Sequence, residues 1–464
     1  MTKKTPDYIP HPASYRDPAG FVFQANGLYY RQVNRSYQAD YEELLRSGLY
    51  QKLTEKGLLV PHTEVDNDLT EHPDRYKILL PEQIPYISYP DEWSPSQLKD
   101  AATLTLQILH IALDHGMILK DASPLNIQFR RGKALFIDTL SFEKYNPALP
   151  WVAYRQFCEC FLFPLLLHHY LSTGIDRIAS AWPEGIPATV TARLLPWKSR
   201  LRPGVWLHVL LPASIRKDSL PGNRTLSFDK TKLLHLTGNL GNILARLKTD
   251  TAGPSAWNNY YQHTIMSQTY LAAKEQLFRE FTGDIGFRSA LDLGSNDGYF
   301  TRILAEKGVP VIAIDSDWPC IDNLYRYARQ QPDKDILPLR IDITDPTPAR
   351  GFNNTERSSF TSRTSADLVV ALALLHHLTW GRNIPLPEIA AWLSMLTSAW
   401  LILEFVPRTD PKVVELVGNR KSLLPDYDAA ALEAQFSPYF SIDKQLPIAG
   451  TERVLYRMRK NTSV

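Results

Sequence analysis

Beyond residue 288, short apolar runs alternate with amphipathic stretches. SALDLGS, VPVIAIDSD, ILPLRIDIT, ADLVVALALLHHL and SAWLILEFV each read as a strand, with helical periodicity between most of them and a loop after the third. Such alternation predicts a parallel sheet with crossover helices. A helical stretch, NNYYQHTIMSQTYLAAKEQLFREF, leads into it and ends at Gly283. The insert at 349–365, ARGFNNTERSSFTSRTS, is polar and predicts a mobile loop.

The N-terminal half has a different rhythm. FVFQANGLYYRQVN (21–34) predicts two strands around Asn26-Gly27, because both residues tolerate the positive φ of a tight hairpin turn. Residues 38–56 place Leu44, Leu45, Leu49 and Leu53 on one side of a predicted helix. YKILL (76–80) reads as a strand and is followed by a proline-rich stretch to Ser94. Residues 95–115 predict a strong helix, with Pro95 near its start and Leu98, Leu104, Ile108 and Leu113 on its apolar face. NIQFRRGKALFID reads as a hairpin turning at Arg131-Gly132, and helix is expected after residue 143 to about Thr173. Residues 174–256 show only loops and short helices, and no internal repeat is visible. The expected divisions are 1–173, 174–256 as a continuation or linker, and 257–464.

A chain of 464 residues is long enough for two or three domains. The balance of 51 basic and 49 acidic residues gives no global field, which disfavours a nucleic-acid partner. Cys158, Cys160 and Cys320 make neither a disulfide framework nor a zinc site, so a reducing, cytoplasmic setting is expected. The first residues lack the apolar run of a secretory signal, and FLFPLLLHHYL is too short to span a bilayer. The oligomeric state is not legible.

The chemistry starts at the first C-terminal strand. Asp292 ends it, and Gly294-Ser295-Asn296-Asp297-Gly298 opens a helix, so the backbone can approach a ligand at the carboxyl end of the sheet. Asp315 ends the next strand, where an acid suits ribose hydroxyls. Asp342-Ile343 follows the third strand and could cover an adenine ring, and Leu374-Leu-His376-His377 follows the fourth. Either histidine could act as a base or merely fill the mouth of a pocket. Glu404, ending the fifth strand, could bind a substrate hydroxyl or amine, or answer Arg408.

Over roughly the last 200 residues these motifs resemble the class I S-adenosylmethionine-dependent methyltransferases, which implies a Rossmann-like α/β unit with a mostly parallel, doubly wound sheet. The resemblance implies S-adenosylmethionine as cofactor. Asp292, Gly294, Ser295, Asn296, Gly298 and Leu374 would surround it, with Asp315 on the ribose and Asp342 and Ile343 at the adenine. His376, His377 and Glu404 would be the catalytic candidates. Asn296 replaces the middle glycine of the usual motif. A dehydrogenase would need a tighter Gly-x-Gly-x-x-Gly, which is absent.

In HGMILKDASPLNIQFRRGKALFIDTLSFE (115–143), Asp121, Asn126 and Asp138 have the spacing of the catalytic and metal-binding segments of the protein kinase-like fold. That resemblance implies an N-terminal α+β domain binding ATP and magnesium, with Asp121 as base and Asn126 and Asp138 as metal ligands. The departures are a missing glycine-rich loop, Arg31 where a lysine is usual, and Thr139-Leu140 after Asp138. Arginine does not replace that lysine conservatively. LVGNRKSLLPDYDAAALEAQF and WNNYYQHTIMSQTYLAAKEQ are similar to methyltransferases of nodulation and cell-surface glycans, and fused kinase-like and methyltransferase halves occur in bacterial enzymes that cap polysaccharides. Three readings therefore stand: a methyltransferase of a glycan or related small molecule, a bifunctional kinase-methyltransferase, and a methyltransferase whose N-terminal half is a docking module.

Overall fold

The computed structural model describes residues 8–66, 68–172, 180–214, 229–250, 268–417 and 427–462. The chain divides into two compact units: Met1–Gly253 with Ala349–Arg357, and Pro254–Pro348 with Ser358–Val464.

The first unit begins with β1 (Ile9–Pro10), β2 (Gly20–Ala25), β3 (Leu28–Asn34), β4 (His62–Val65) and β5 (Arg75–Pro81). These form an antiparallel sheet in the order β1-β2-β3-β5-β4. Asn26 and Gly27 both take positive φ, 52° and 78°, so the expected hairpin forms. The helix expected over 38–56 is instead two, α1 (Gln38–Arg46) and α2 (Leu49–Glu55). Gly48, at φ 76°, breaks them apart in a left-handed conformation that helical periodicity alone does not reveal. Helix α3 (Pro95–Asp114) starts where expected, because Ser94 and Gln97 form a reciprocal capping box ahead of Pro95.

After α3 come β6 (Met117–Leu119), which pairs with β9 (Phe142–Lys144), and β7 (Ile127–Arg130), which pairs with β8 (Lys133–Phe136). The β7–β8 hairpin turns at Arg131-Gly132 as expected, with both residues left-handed. Continuous helix does not follow directly; it resumes only at Tyr154 and runs on to Leu171. Residues 174–256 hold more structure than expected. The 17-residue helix Lys230–Arg246, capped by Asp229, packs on α3, with Thr237 Oγ1 at 2.7 Å from His110 Nε2. Its polar exposed face and mixed composition conceal it in the sequence. The polar insert is also partly built: Arg350 and Arg357 form a bridge, and Phe360–Arg363 is helical.

The second unit is a mixed α/β body. Its strands are β10 (Ala290–Leu293), β11 (Val311–Asp315), β12 (Ile336–Arg340), β13 (Ala366–Ala371), β14 (Thr397–Phe405), β15 (Phe440–Pro447) and β16 (Val454–Lys460). They form one sheet in the order β12-β11-β10-β13-β14-β16-β15. The first five are mutually parallel, and β16 lies antiparallel to both neighbours. Counted from β10, the first five follow the 3-2-1-4-5 order of a doubly wound sheet; a dinucleotide-binding sheet then adds its sixth strand directly, whereas here β16 intervenes. The β15–β16 hairpin was not anticipated. The helix leading in is described from Gln268 to Gly283, and residues 257–267 lie outside the described residues, as do 418–426 of the glycan-related segment. Phe278 and Phe281 of that helix bury against Ala290, Ile303, Leu324, Leu368 and Ile402. Among the described residues no helix is long and apolar enough to cross a membrane.

Candidate functional site

Strand order reverses between β10 and β13, which leave in opposite directions from the middle of the sheet, so a crevice opens beyond their carboxyl ends. The residues after β10 shape its floor. Gly294 has φ 73°, and a Cβ there would sit 3.2 Å from Leu374 Cδ1. Leu374, predicted from the fourth strand, therefore lies over the glycine turn. Asn296 takes φ 52°. Asparagine is among the few residues that adopt this conformation readily, which explains how it stands where related motifs have glycine. Gly298 serves packing as well: at φ 81°, its Cβ would come within 2.4 Å of Leu324 Cδ1 on the helix Trp318–Arg329.

The acids have distinct neighbours. Asp292 is buried and accepts a 2.6 Å hydrogen bond from Thr301 Oγ1, tying the strand to the helix Tyr299–Ala305. Burial pushes its carboxyl up to about 6 despite that bond. Asp315 accepts the backbone N–H groups of Asn296 and Asp317, each at 2.9 Å and each on a different oxygen. Burial pushes it up to about 6 as well, against the pull of those donors. A carboxylate has about four lone-pair sites, so capacity remains for two ligand hydroxyls. Asp342 accepts the N–H and hydroxyl of Thr344 at 2.9 and 2.7 Å and lies 3.7 Å from Arg382. Ile343 beside it is partly exposed.

Strand β13 ends at Ala371, short of the run expected to reach Leu378, and 377–381 form a helical turn. Ala373 lies between them at φ 50°, a strained conformation for alanine. This bend brings His376 inside, at 1% exposure, with its ring 4.2 Å from that of His377. His377 stays partly exposed. Burial, then the neighbouring His377 and Arg453, pushes His376 well below the ordinary histidine value, and His377 is lowered for similar reasons. Both rings are thus neutral at pH 7. Buried atoms here without a hydrogen-bond partner among the described residues include Ser295 Oγ, Asp297 Oδ1, His376 Nδ1, Thr379 Oγ1 and Trp380 Nε1. Such orphans are costly unless a ligand or water completes them. Thr379 and Trp380 were not singled out in the sequence, where HLTW reads only as the start of a helix.

Glu404 is enclosed rather than open to a substrate. Lys274 Nζ lies 2.5 Å from Oε2, and Arg453 Nη1 and the Tyr270 hydroxyl both donate to Oε1 at 3.1 and 2.7 Å. Arg453 also grips Asp410 with two bonds, at 2.7 and 3.1 Å. Burial alone would raise the Glu404 carboxyl, but Lys274 and Arg453 hold it down at about 2. Its partners are Lys274 and Arg453, not Arg408, whose guanidinium lies over the Trp380 ring at 5.4 Å. Sequence spacing gave no sign of this cluster, since Tyr270 and Arg453 are 183 positions apart.

In the first unit, Asp121, Asn126 and Asp138 converge on one loop. Asn126 Nδ2 donates to Asp121 Oδ2 at 3.0 Å and to Ser141 Oγ at 3.3 Å. Asp138 Oδ1 faces Arg31 Nη2 at 2.6 Å and accepts the Leu140 N–H, and Oδ2 accepts the Ser141 hydroxyl. Both Asp138 oxygens are therefore already engaged, one of them by the Arg31 cation. The cleft beside it, lined by Val22, Tyr30, Arg31, His62, Leu79 and Thr139, has a volume of about 50 Å³.

No family model matches the chain. Among solved structures, the N-methyltransferase NodS from Bradyrhizobium japonicum WM9, in complex with S-adenosylhomocysteine, aligns at 14% identity and a TM-score of 0.33, covering 45% of this chain and 93% of that one. The bifunctional kinase-methyltransferase WbdD aligns at 18% identity and a TM-score of 0.29, covering 41% of this chain and 38% of that one. The nodulation protein NoeA of Rhizobium meliloti (strain 1021) is 30% identical over 458 residues, 97% of this chain and 95% of the relative. At that identity across nearly the whole of both sequences, this chain belongs to the NoeA family.

Proposed function

We propose that the C-terminal unit is an S-adenosylmethionine-dependent methyltransferase acting on a glycan or related small acceptor. The observation that carries this reading is the crevice itself: a left-handed Gly294–Asn296 turn, Asp315 one strand over, and a group of orphaned polar atoms at the same end of the sheet. S-adenosylmethionine would supply an electrophilic methyl group. Asp315 would hold the ribose hydroxyls, the Gly294 turn would admit the methionine portion, and Ile343 and Leu374 would flank the adenosyl group. Asp292 contributes by fixing the turn to its helix. His377, partly exposed and neutral at pH 7, would accept a proton from the acceptor, while the enclosed His376 would orient it. Positioning supplies most of the acceleration when the acceptor is already nucleophilic. Kinship with a nodulation protein supports a glycan acceptor, in line with the sequence resemblance.

For the N-terminal unit, the Arg31–Asp138 pair favours a docking module over a kinase. Calorimetric titration of the full chain tests both halves. S-adenosylhomocysteine should bind, and ATP with magnesium should give neither heat nor a rise in melting temperature. A folded protein that gives no heat with S-adenosylhomocysteine sinks the methyltransferase reading. A magnesium-dependent ATP shift removed by Asp138→Asn restores the kinase.

A further inference from the structure

The segment 188–214 turns apolar side chains outward. Trp197 is 67% exposed, Leu201 75% and Trp206 54%, and Leu211 is exposed beside them. The reversal is systematic. Around Trp206–Leu210, Val205, His208 and Val209 face inward, whereas Trp206, Leu207 and Leu211 point out. The short helices Ala188–Leu194, Trp197–Leu201 and Trp206–Leu210 pack on one another, which gathers the exposed residues onto neighbouring elements.

The charges on this surface have one sign. Arg193, Lys198, Arg200 and Arg202 are all exposed, and no acidic residue occurs between 188 and 214. Lys198 lies 5.9 Å from the Trp197 ring, so the cation and the aromatic ring share one location. Ordinary surfaces scatter single apolar residues among mixed charges. Two tryptophans and several leucines on a segment whose only charges are cations match the interfacial layer of a bilayer. There, indole rings sit at headgroup level and basic residues meet anionic lipid. A second copy of this chain would bring four cations against four and repel.

We infer that 188–214 is a peripheral docking surface for an anionic lipid bilayer. Its aromatic and leucine side chains enter the headgroup region while Lys198 and the three arginines meet lipid phosphates.

The test is co-sedimentation of the full chain with vesicles of phosphatidylglycerol and phosphatidylethanolamine, and separately with phosphatidylcholine alone. Binding should occur to the anionic vesicles, weaken with added salt and be negligible on phosphatidylcholine. Lys198→Glu with Arg202→Glu should lower the partition coefficient at least about tenfold. Trp197→Ser with Trp206→Ser should lower it comparably and abolish quenching by brominated lipid. All four positions are exposed, and circular dichroism would verify the fold of each variant. Equal binding to phosphatidylcholine, or anionic binding unchanged in both folded double variants, overturns the inference. So does a wild-type dimer in sedimentation velocity that the tryptophan variant converts to monomer, since the surface would then be a self-contact.

Discussion

Replacing Glu404 by glutamine separates a structural role from a substrate-binding one. Glu404 is fully buried, and Lys274, itself 2% exposed, lies 2.5 Å from it. Glutamine keeps the shape but leaves the Lys274 ammonium without its anion. Removing one partner of a buried pair costs about 3–5 kcal/mol. The acid side gives a similar figure: a carboxyl held at about 2 against an ordinary 4.5 corresponds to about 3 kcal/mol of linked stability. For a unit of this size that lowers the melting temperature by about 6–20 °C. A depressed carboxyl contributes stability that is present above its unfolded value and lost as pH falls through its folded one. The gap between wild type and Glu404→Gln should therefore be full above pH 4.5 and close between 4.5 and 2. Lys274→Met combined with Glu404→Gln should recover much of the loss, because it removes the stranded charge. Calorimetric melting across this pH range is the assay. A folded Glu404→Gln protein that melts within about 2 °C of wild type yet loses turnover would refute the reasoning and return Glu404 to the substrate.

Asp315→Ala should weaken S-adenosylhomocysteine binding by about 1.5–3 kcal/mol, ten- to a hundred-fold, in calorimetric titration. In wild type the same affinity should decline as pH falls through about 6, where Asp315 takes up a proton and loses acceptor capacity; a flat profile from pH 8 to 5 removes Asp315 from the ribose. Asn296→Gly should leave stability nearly unchanged, whereas Asn296→Val should cost roughly 1–2 kcal/mol in urea unfolding, because a β-branched residue resists φ 52°; equal stability would mean the turn relaxes. Gly298→Ala should cost more than the backbone strain alone, and adding Leu324→Ala should relieve the steric part but not the strain, so additive losses would deny the contact. His377→Ala should lose turnover while keeping cofactor affinity, with the acidic limb of the wild-type pH profile lying below the ordinary histidine value.

What was legible in the sequence is what local pattern encodes. The Asn26-Gly27 hairpin, the capped start of α3 and the five strands from Ala290 to Phe405 are each written in neighbouring residues. The glycine turn and the acids at strand ends were equally visible, because strand ends are marked by the loss of apolar character. What was hidden depends on partners far apart. The β15–β16 hairpin leaves most of β15 exposed and buries most of β16, so neither strand shows a plain period. Glu404 ends its strand as read, yet its environment is set by Tyr270 and Lys274 on one side and Arg453 on the other. The break at Gly48 and the bend at Ala373 turn on single φ angles that periodicity averages away.

Arg453 stands just before β16 and completes the buried cluster late in the chain's order of synthesis. Tyr270 is made 183 positions before it, Glu404 49 and Asp410 43. Until that arginine arrives, Asp410 has no cation gripping it, and Glu404 has Lys274 but lacks its second positive neighbour. The parallel strands can pair beforehand, but their acidic end cannot be sealed from water at low cost. Insertion of the antiparallel strand therefore brings Glu404 its second cation and Asp410 its grip, and adds stability to the parallel strands. A chain interrupted before Arg453 would present an open, acid-bearing sheet edge, which is the form quality-control proteases would meet.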